Sequence, residues 1–208
     1  MDEQDRPLGP ISKLEGHLLK GNTAPLHRAF SLLLFNSKNE LLLQQRAFNK
    51  ITFPGRWTNT CCSHNSHVPS ELQEEPRYIG MRRAVVRRSE FELGITDLGV
   101  EDLHVGSRIL YYAPSCDRFA EHELDYIVFA KKDVIFTPNP DEIASVAWVS
   151  ITDFDDFLAS QHKPGIETVT PWFQILRERK LMPWWRSLIN TGAFPEEGHQ
   201  IETFTNIQ

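Results

Sequence analysis

Cysteine is scarce, a bilayer-length apolar run is missing, and basic charge is not in excess. Three cysteines cannot all pair within one chain. Cys61 and Cys62, as neighbours, would bridge each other only through a strained ring. A disulfide framework is therefore not expected, and a reduced intracellular compartment is. No apolar stretch approaches the ~20 residues that cross a bilayer, and the opening MDEQDRPLGPISKLEGH lacks the basic-then-apolar layout of a secretory leader. The final Asn206-Ile207-Gln208 is not the Ser-Lys-Leu peroxisomal address, which leaves the cytoplasm as the expected location. A formal net charge of −6 argues against a general role on nucleic acid or at a membrane surface. Phosphate chemistry, if present, has to be organised locally. Internal repeats and low-complexity tracts are also missing.

What is present supports a packed core. With 208 residues, 40% of them hydrophobic, the chain is long enough for one large domain. Residues 1–12 are polar, contain Pro7 and Pro10, and read as a mobile arm ahead of a single domain over 13–208, expected as a monomer. RAFSLLLFNSKNELLLQQR, residues 28–46, holds two apolar runs around Asn36-Ser37-Lys38-Asn39, the pattern of a β-hairpin with Arg46 at its exit. Residues 47–79 carry Pro54-Gly55, Pro69 and Pro76 and read as loop with short extended pieces. GMRRAVVRRSEFELGI reads as a helix that stops near Gly94. Strands are expected around 105–113, 123–130 and 145–150, and helical segments over 152–159 and 171–190, the latter despite Pro183. The fold class is α/β in the broad sense (α+β): strands around one early helix, with a late helical segment.

Three groups of residues are able to carry chemistry. In the early helix, Met81, Ala84, Val85, Arg88 and Glu92 share one face, so an apolar stripe turns charged at its C-terminal end. Arg88 and Glu92 read equally as an exposed i,i+4 ion pair and as a cation ligand beside an anion-binding guanidinium. In FAEHELDYI, an extended chain puts Glu121, Glu123 and Asp125 on one side and His122 and Leu124 on the other. Carboxylates so placed are either solvated or separated by a proton or cation. In WTNTCCSH, the same alternation puts Cys62 with His64 and turns Cys61 away. A Cys-x-His pair alone does not certify zinc, and packing is the ordinary role of a buried cysteine. His17 and His27 are two further potential ligands upstream, with Lys13 one helical turn before His17.

Five ordered stretches carry a resemblance: HRAF (27–30), ITFPG (51–55), WTNTCCSH (57–64), EHE (121–123) and TPWF (170–173). Over Lys13 to Trp184-Trp185 the chain closely resembles the type I isopentenyl diphosphate isomerases, whose fold is related to the Nudix hydrolases. The resemblance implies a Nudix-like mixed sheet flanked by helices. It implies conversion of isopentenyl diphosphate to dimethylallyl diphosphate through a tertiary carbocation. It implies a metal centre of His17, His27, His64, Glu121 and Glu123 taking zinc or manganese. Magnesium would sit at Glu92, the main-chain carbonyl of Cys62 and the substrate diphosphate. Lys13, Arg46, Lys50 and Arg88 match the diphosphate-binding positions, and Trp172 matches the aromatic that lies against the hydrocarbon. Glu123 matches the proton donor, assisted by Tyr111, and Cys62 matches the group that handles the proton on the opposite face, for which a thiolate base is expected.

The chain departs from the Nudix hydrolase pattern at Arg88 and Phe91, where that pattern has glutamates, which favours isomerisation over pyrophosphate cleavage. Asn65-Ser66-His67-Val68-Pro69 and Ala120 also differ from the family's usual residues, next to ligand positions. Two rival readings remain: a pyrophosphohydrolase, and a binding module without turnover.

Overall fold

The computed structural model describes residues 1–194 and 200–204. Asn206-Ile207-Gln208 lies outside the described residues. The strands are β1 (His27–Phe35), β2 (Leu41–Arg46), β3 (Trp57–Thr58), β4 (Cys61–Ser63), β5 (Leu103–Pro114), β6 (Ala120–Lys131), β7 (Ile143–Val149) and β8 (Ile201–Phe204). Among the described residues they form one mixed sheet in the order β3-β2-β1-β6-β5-β8, with β4 added to β1 and β7 to β2. The helices are α1 (Lys13–His17), α2 (Pro69–Leu72), α3 (Ile79–Leu93), α4 (Phe154–Ser160), α5 (Pro171–Leu176) and α6 (Met182–Thr191).

The central strands are covered on both faces, which is why LLLF and YIVFA run without polar interruption. Leu33, Phe35, Ile127 and Phe129 pack with Phe154, Trp172, Phe173 and Trp185 from the late helices. Phe30, Leu32, Leu34, Leu124 and Val128 pack with Met81, Ala84 and Val85 of α3. The sheet is thus the middle of three layers. Gly94 ends α3 in the left-handed conformation at φ 67°, as the sequence implied.

Two sequence expectations change on folding, and one strand had no expectation behind it. The hairpin over 28–46 is closed only at its tip: Phe35 pairs with Leu41, while β4 takes the edge of β1 at Phe30–Leu32. The turn there is held by Asn36 Oδ1, which accepts from the amides of Lys38 and Glu40. The late helix is not uniform. Arg177–Leu181 form a π-helical turn between α5 and α6, and the wider turn precedes Pro183, which has no N–H to continue an α-helical ladder. Finally, β8 runs parallel to β5, from Arg108↔Ile201 to Tyr111↔Phe204. Four residues are too few to show a strand's alternation.

Within residues 1–12, Asp5 docks against the sheet. Its carboxylate accepts from Arg28 Nε at 2.6 Å, from Arg108 Nη1 at 3.1 Å and from the Tyr126 hydroxyl. No helix among the described residues is long and apolar enough to cross a membrane.

α3 sits close to α2 because residue 80 has no side chain. A Cβ on Gly80 would lie 2.5 Å from the Glu71 carbonyl oxygen and 2.7 Å from that of Gln73. Gly80→Ala is therefore expected to destabilise the protein by about 1–3 kcal/mol, although alanine is the better helix former. Urea unfolding checks this, and an unchanged or raised midpoint contradicts it.

Candidate active site and metal centre

Strand register builds the centre of the site. Glu123 lies on β6 between two neighbours, opposite His27 on parallel β1 and opposite Tyr111 on antiparallel β5. The Tyr111 hydroxyl donates to Glu123 Oε2, and His64 Nε2 lies 2.8 Å from Oε1. His17 arrives from α1, whose first turn is capped by Ser12 Oγ accepting from the Glu15 amide.

Five potential ligands converge: one donor atom from each of His17, His27, His64, Glu121 and Glu123 lies within 4.8 Å of the others. The three imidazole centroids are 4.8–5.1 Å apart. His17 Nδ1 is 2.6 Å from the Lys13 carbonyl, and His27 Nδ1 is 2.9 Å from that of Pro25. Only a ring N–H satisfies a carbonyl, so both rings carry hydrogen on Nδ1, and when neutral they turn a bare Nε2 inward. Those nitrogens meet carboxylate oxygens: His17 Nε2 is 2.9 Å from Glu121 Oε2, and His27 Nε2 is 3.5 Å from Glu123 Oε1. Lone pairs facing lone pairs need a proton or a cation between them. His27 Nε2 and Glu121 Oε2 are also buried without a hydrogen-bond partner among the described residues. The donor set therefore fits a divalent metal ion.

The charges agree. Burial alone would raise the Glu123 carboxyl, but the adjacent His27 and His64 imidazoles hold it well below the usual range. Burial lowers His64, whereas for His17 the adjacent Glu121 carboxylate outweighs burial and raises it. Asp125, buried on the same face two residues on, is pushed well above the ordinary range by burial and by the Glu123 charge.

Next to the cluster lies a cavity of about 440 Å³. Lys13, Arg46, Lys50 and Arg88 all line it, as do Glu92, Cys62, Glu121, Glu123 and Trp172. Arg46 is held by the carbonyls of Thr52 and Phe53 and lies over the Trp172 ring, 5.5 Å from its centroid. The Arg88–Glu92 pair exists, at 2.6 Å, but it is buried against the cavity rather than exposed. Lys50 pairs with Glu142, which also lies 3.8 Å from Arg88. Burial, followed by the charges of Lys50 and Arg88, lowers the Lys13 ammonium. Four cations are thus gathered with two carboxylates beside them, an arrangement that gains from an arriving anion.

Cys61 and Cys62 face opposite layers. Cys61 is fully buried in the α3 layer, with Sγ 3.5 Å from Glu92. Cys62 packs towards Trp172, whose Nε1 is 3.0 Å from the sulfur. Burial, with the Asp125 charge, pushes the Cys62 thiol up to about 12 in the absence of bound ions, a direction that opposes the expected thiolate. Trp172 is both a core residue and a cavity wall.

Every residue singled out in the sequence lies in this region. Glu142, Ser31 and Asp125 join it without a motif of their own, and Asn59 joins it from inside WTNTCCSH without an assigned role. Ser31 donates to Asp125 at 2.7 Å and sits 3.6 Å from Cys62 Sγ. Only the alternation of β6 hinted at Asp125, and nothing local marks Glu142 or Ser31.

The model of the NUDIX domain matches residues 25–173. The isopentenyl-diphosphate delta-isomerase 1 of Bos taurus is 44% identical over 197 residues, covering 93% of this chain and 86% of that protein. The isopentenyl-diphosphate delta-isomerase of Gibberella zeae is 45% identical over 193 residues, covering 90% of this chain and 75% of that one. A solved NUDIX hydrolase from Alicyclobacillus acidocaldarius has the same fold, with a TM-score of 0.55 and 12% identity over 83% of this chain and 98% of its own.

Two measurements probe this geometry. A divalent ion at 100 times its Kd is expected to stabilise the chelator-stripped protein by about 2.7 kcal/mol, and His27→Ala is expected to remove most of that gain. A stripped protein whose melting temperature ignores every divalent ion contradicts the centre. Separately, iodoacetamide at neutral pH is expected to label exposed Cys116 and spare Cys62, since the thiolate is the reactive form. Mass spectrometry of the digest reads the difference.

Proposed function

The chain belongs to the NUDIX domain family and, within it, to the type I isopentenyl-diphosphate delta-isomerases, and from that premise we propose that its cavity converts isopentenyl diphosphate to dimethylallyl diphosphate. One observation carries the reading: a buried carboxyl, Glu123, and a half-buried thiol, Cys62, line the same cavity as four cationic side chains. The substrate is apolar at one end and strongly anionic at the other, and the lining offers both kinds of partner.

Lys13, Arg46, Lys50 and Arg88 are assigned to the diphosphate. Glu142 and Glu92 keep Lys50 and Arg88 neutralised until the anion arrives. Trp172 is assigned to the hydrocarbon, where its π face stabilises a desolvated cation by roughly 2 kcal/mol. Protonating an unactivated alkene needs an acid held against one carbon, and the cation then loses a proton from its neighbour. Glu123, hydrogen-bonded to Tyr111, is assigned to one proton and Cys62 to the other. The lowered Glu123 carboxyl and the raised Cys62 thiol place the one proton of the pair on the sulfur at rest, so donation by Glu123 and acceptance by Cys62 require that a proton first leave the thiol and one be taken up by Glu123 in the loaded enzyme. The reaction requires water to be kept from the hydrocarbon, because a carbocation and an allylic diphosphate are both open to hydrolysis.

His17, His27, His64, Glu121 and Glu123 would hold one ion, and imidazoles with carboxylates suit zinc or manganese. Glu92 and the Cys62 carbonyl would hold magnesium, which is commonly bound through one carboxylate and substrate phosphates. When bound, these ions supply positive charge that acidifies the groups around them and neutralises the diphosphate. We extend the proposal to a monomer working in the cytoplasm, the compartment that three cysteines, two of them adjacent, suit better than an oxidising one.

The test is incubation with isopentenyl diphosphate and divalent metal in deuterated water. Dimethylallyl diphosphate should form with deuterium in the methyl group derived from the terminal alkene carbon. Release of phosphate or pyrophosphate instead would make the protein a hydrolase. Cys62→Ala and Glu123→Gln should each lower kcat by about 10²–10⁴ while substrate binding persists, and full activity in either variant removes that residue from proton transfer.

A further inference from the structure

Asn59 lies between β3 and β4 and is fully buried. Its amide nitrogen is 3.0 Å from the Leu32 carbonyl and 3.2 Å from the Cys61 carbonyl. Carbonyl oxygens accept only from N–H, so these two bonds decide which way the amide points. Oδ1 must face the cavity wall. There it meets three donors: Cys62 Sγ at 3.0 Å, Trp172 Nε1 at 3.2 Å and Thr58 Oγ1 at 3.0 Å. The other oxygens near the sulfur are further off, with Ser31 Oγ at 3.6 Å and Thr58 Oγ1 at 3.8 Å. The Trp172 N–H is shared, since Sγ is also 3.0 Å from Nε1.

One oxygen thus ties a sulfur on β4 to an indole on α5, elements far apart in sequence. A second bond closes the same frame, because Thr58 Oγ1 is 2.8 Å from the hydroxyl of Thr170, the residue that precedes α5. A packing role alone does not account for this pattern. An apolar residue would fill the space at lower cost than an amide that must find a partner for each of its polar atoms.

We propose that Asn59 is a positioning residue for the isomerisation: its side-chain oxygen aims the Cys62 S–H and sets the plane of Trp172, so that sulfur and ring address the same stretch of hydrocarbon. The proposal rests on the function argued above. Asn59 does not touch the substrate, and it acts only through the sulfur and the indole. The diphosphate is held by other residues. Losing Asn59 therefore degrades the chemical step and leaves substrate binding in place, because a small misalignment of reacting groups costs rate steeply.

The experiment uses the full chain with Cys61→Ala and Cys116→Ser, which leaves Cys62 as its one thiol. The infrared S–H stretch is recorded without substrate, and kcat and KM are measured with isopentenyl diphosphate and divalent metal. In this background the S–H band should lie below that of a free thiol in a peptide, as for a hydrogen-bond donor. Asn59→Ala should move the band towards the free-thiol position and lower kcat by about 100-fold with KM unchanged. A free-thiol band in the Asn59-containing protein overturns the proposal, and this reading is available even if the variant does not fold. An unchanged kcat in Asn59→Ala also overturns it, as does a loss expressed in KM alone. A background protein that makes no dimethylallyl diphosphate overturns the functional reading itself, and that result is seen before any Asn59 variant is made.

Discussion

A carboxylate buried in the middle of a sheet is the constraint around which this protein is arranged. Glu123 is 7% exposed, and an unpaired ionised carboxyl there would cost more than the fold has to spare. Its partners come from every side: His27 across the parallel ladder, Tyr111 across the antiparallel one, and His64 from the loop after β4. The same requirement draws in His17 and Glu121, which complete a set of donors suited to a divalent ion. Shifting β6 by one residue would turn Glu121, Glu123 and Asp125 into the opposite layer. Register and chemistry are therefore one problem here.

The second organising force is stored positive charge. A chain with a net charge of −6 gathers Lys13, Arg46, Lys50 and Arg88 around a single cavity. Left alone they would repel one another, and the lowered Lys13 pKa reflects part of that repulsion. Glu92 and Glu142 offset it. An incoming diphosphate takes over this role, so the ion pairs serve both to hold the cavity and to keep it ready for an anion. Arg88 illustrates the change of meaning: on a helix surface its pair with Glu92 would contribute a few tenths of a kcal/mol, whereas against the cavity it places charge where the ligand needs it.

The sheet's two faces divide the labour. Alternation sends Cys61 to the layer of α3 and Cys62 to the layer of α5, so adjacent residues of one type have different surroundings. Cys61 fills space beside Glu92. Cys62 meets Asn59, Ser31 and Trp172, and its burial keeps the proton on the sulfur.

By itself the sequence determined the parts whose signal is local. Period-2 and period-3.6 patterns gave the main strands and α3, Gly94 gave its stop, and alternation gave the separation of Cys61 from Cys62 and of Glu121, Glu123 and Asp125 from His122. The motifs, through the family they resemble, gave the metal ligands, the four cations, Cys62 and Trp172, though not Glu142. Tertiary structure alone decided what depends on residues distant in the chain. No pattern in 27–46 says that β4 takes the edge of β1 at Phe30–Leu32, and none in 201–204 says that β8 pairs with β5. The protonated state of Cys62 follows from burial under α5, more than a hundred residues away. Glu142 has no motif because its role, neutralising Lys50 and Arg88, exists only once three separate segments meet. Asn59 sits inside a recognised motif, but which of its amide atoms faces the sulfur is decided by the carbonyls of Leu32 and Cys61, brought to it by the sheet. Local patterns are written in neighbouring residues, whereas desolvation and hydrogen-bond direction belong to the folded surroundings, and these set the chemistry of the site.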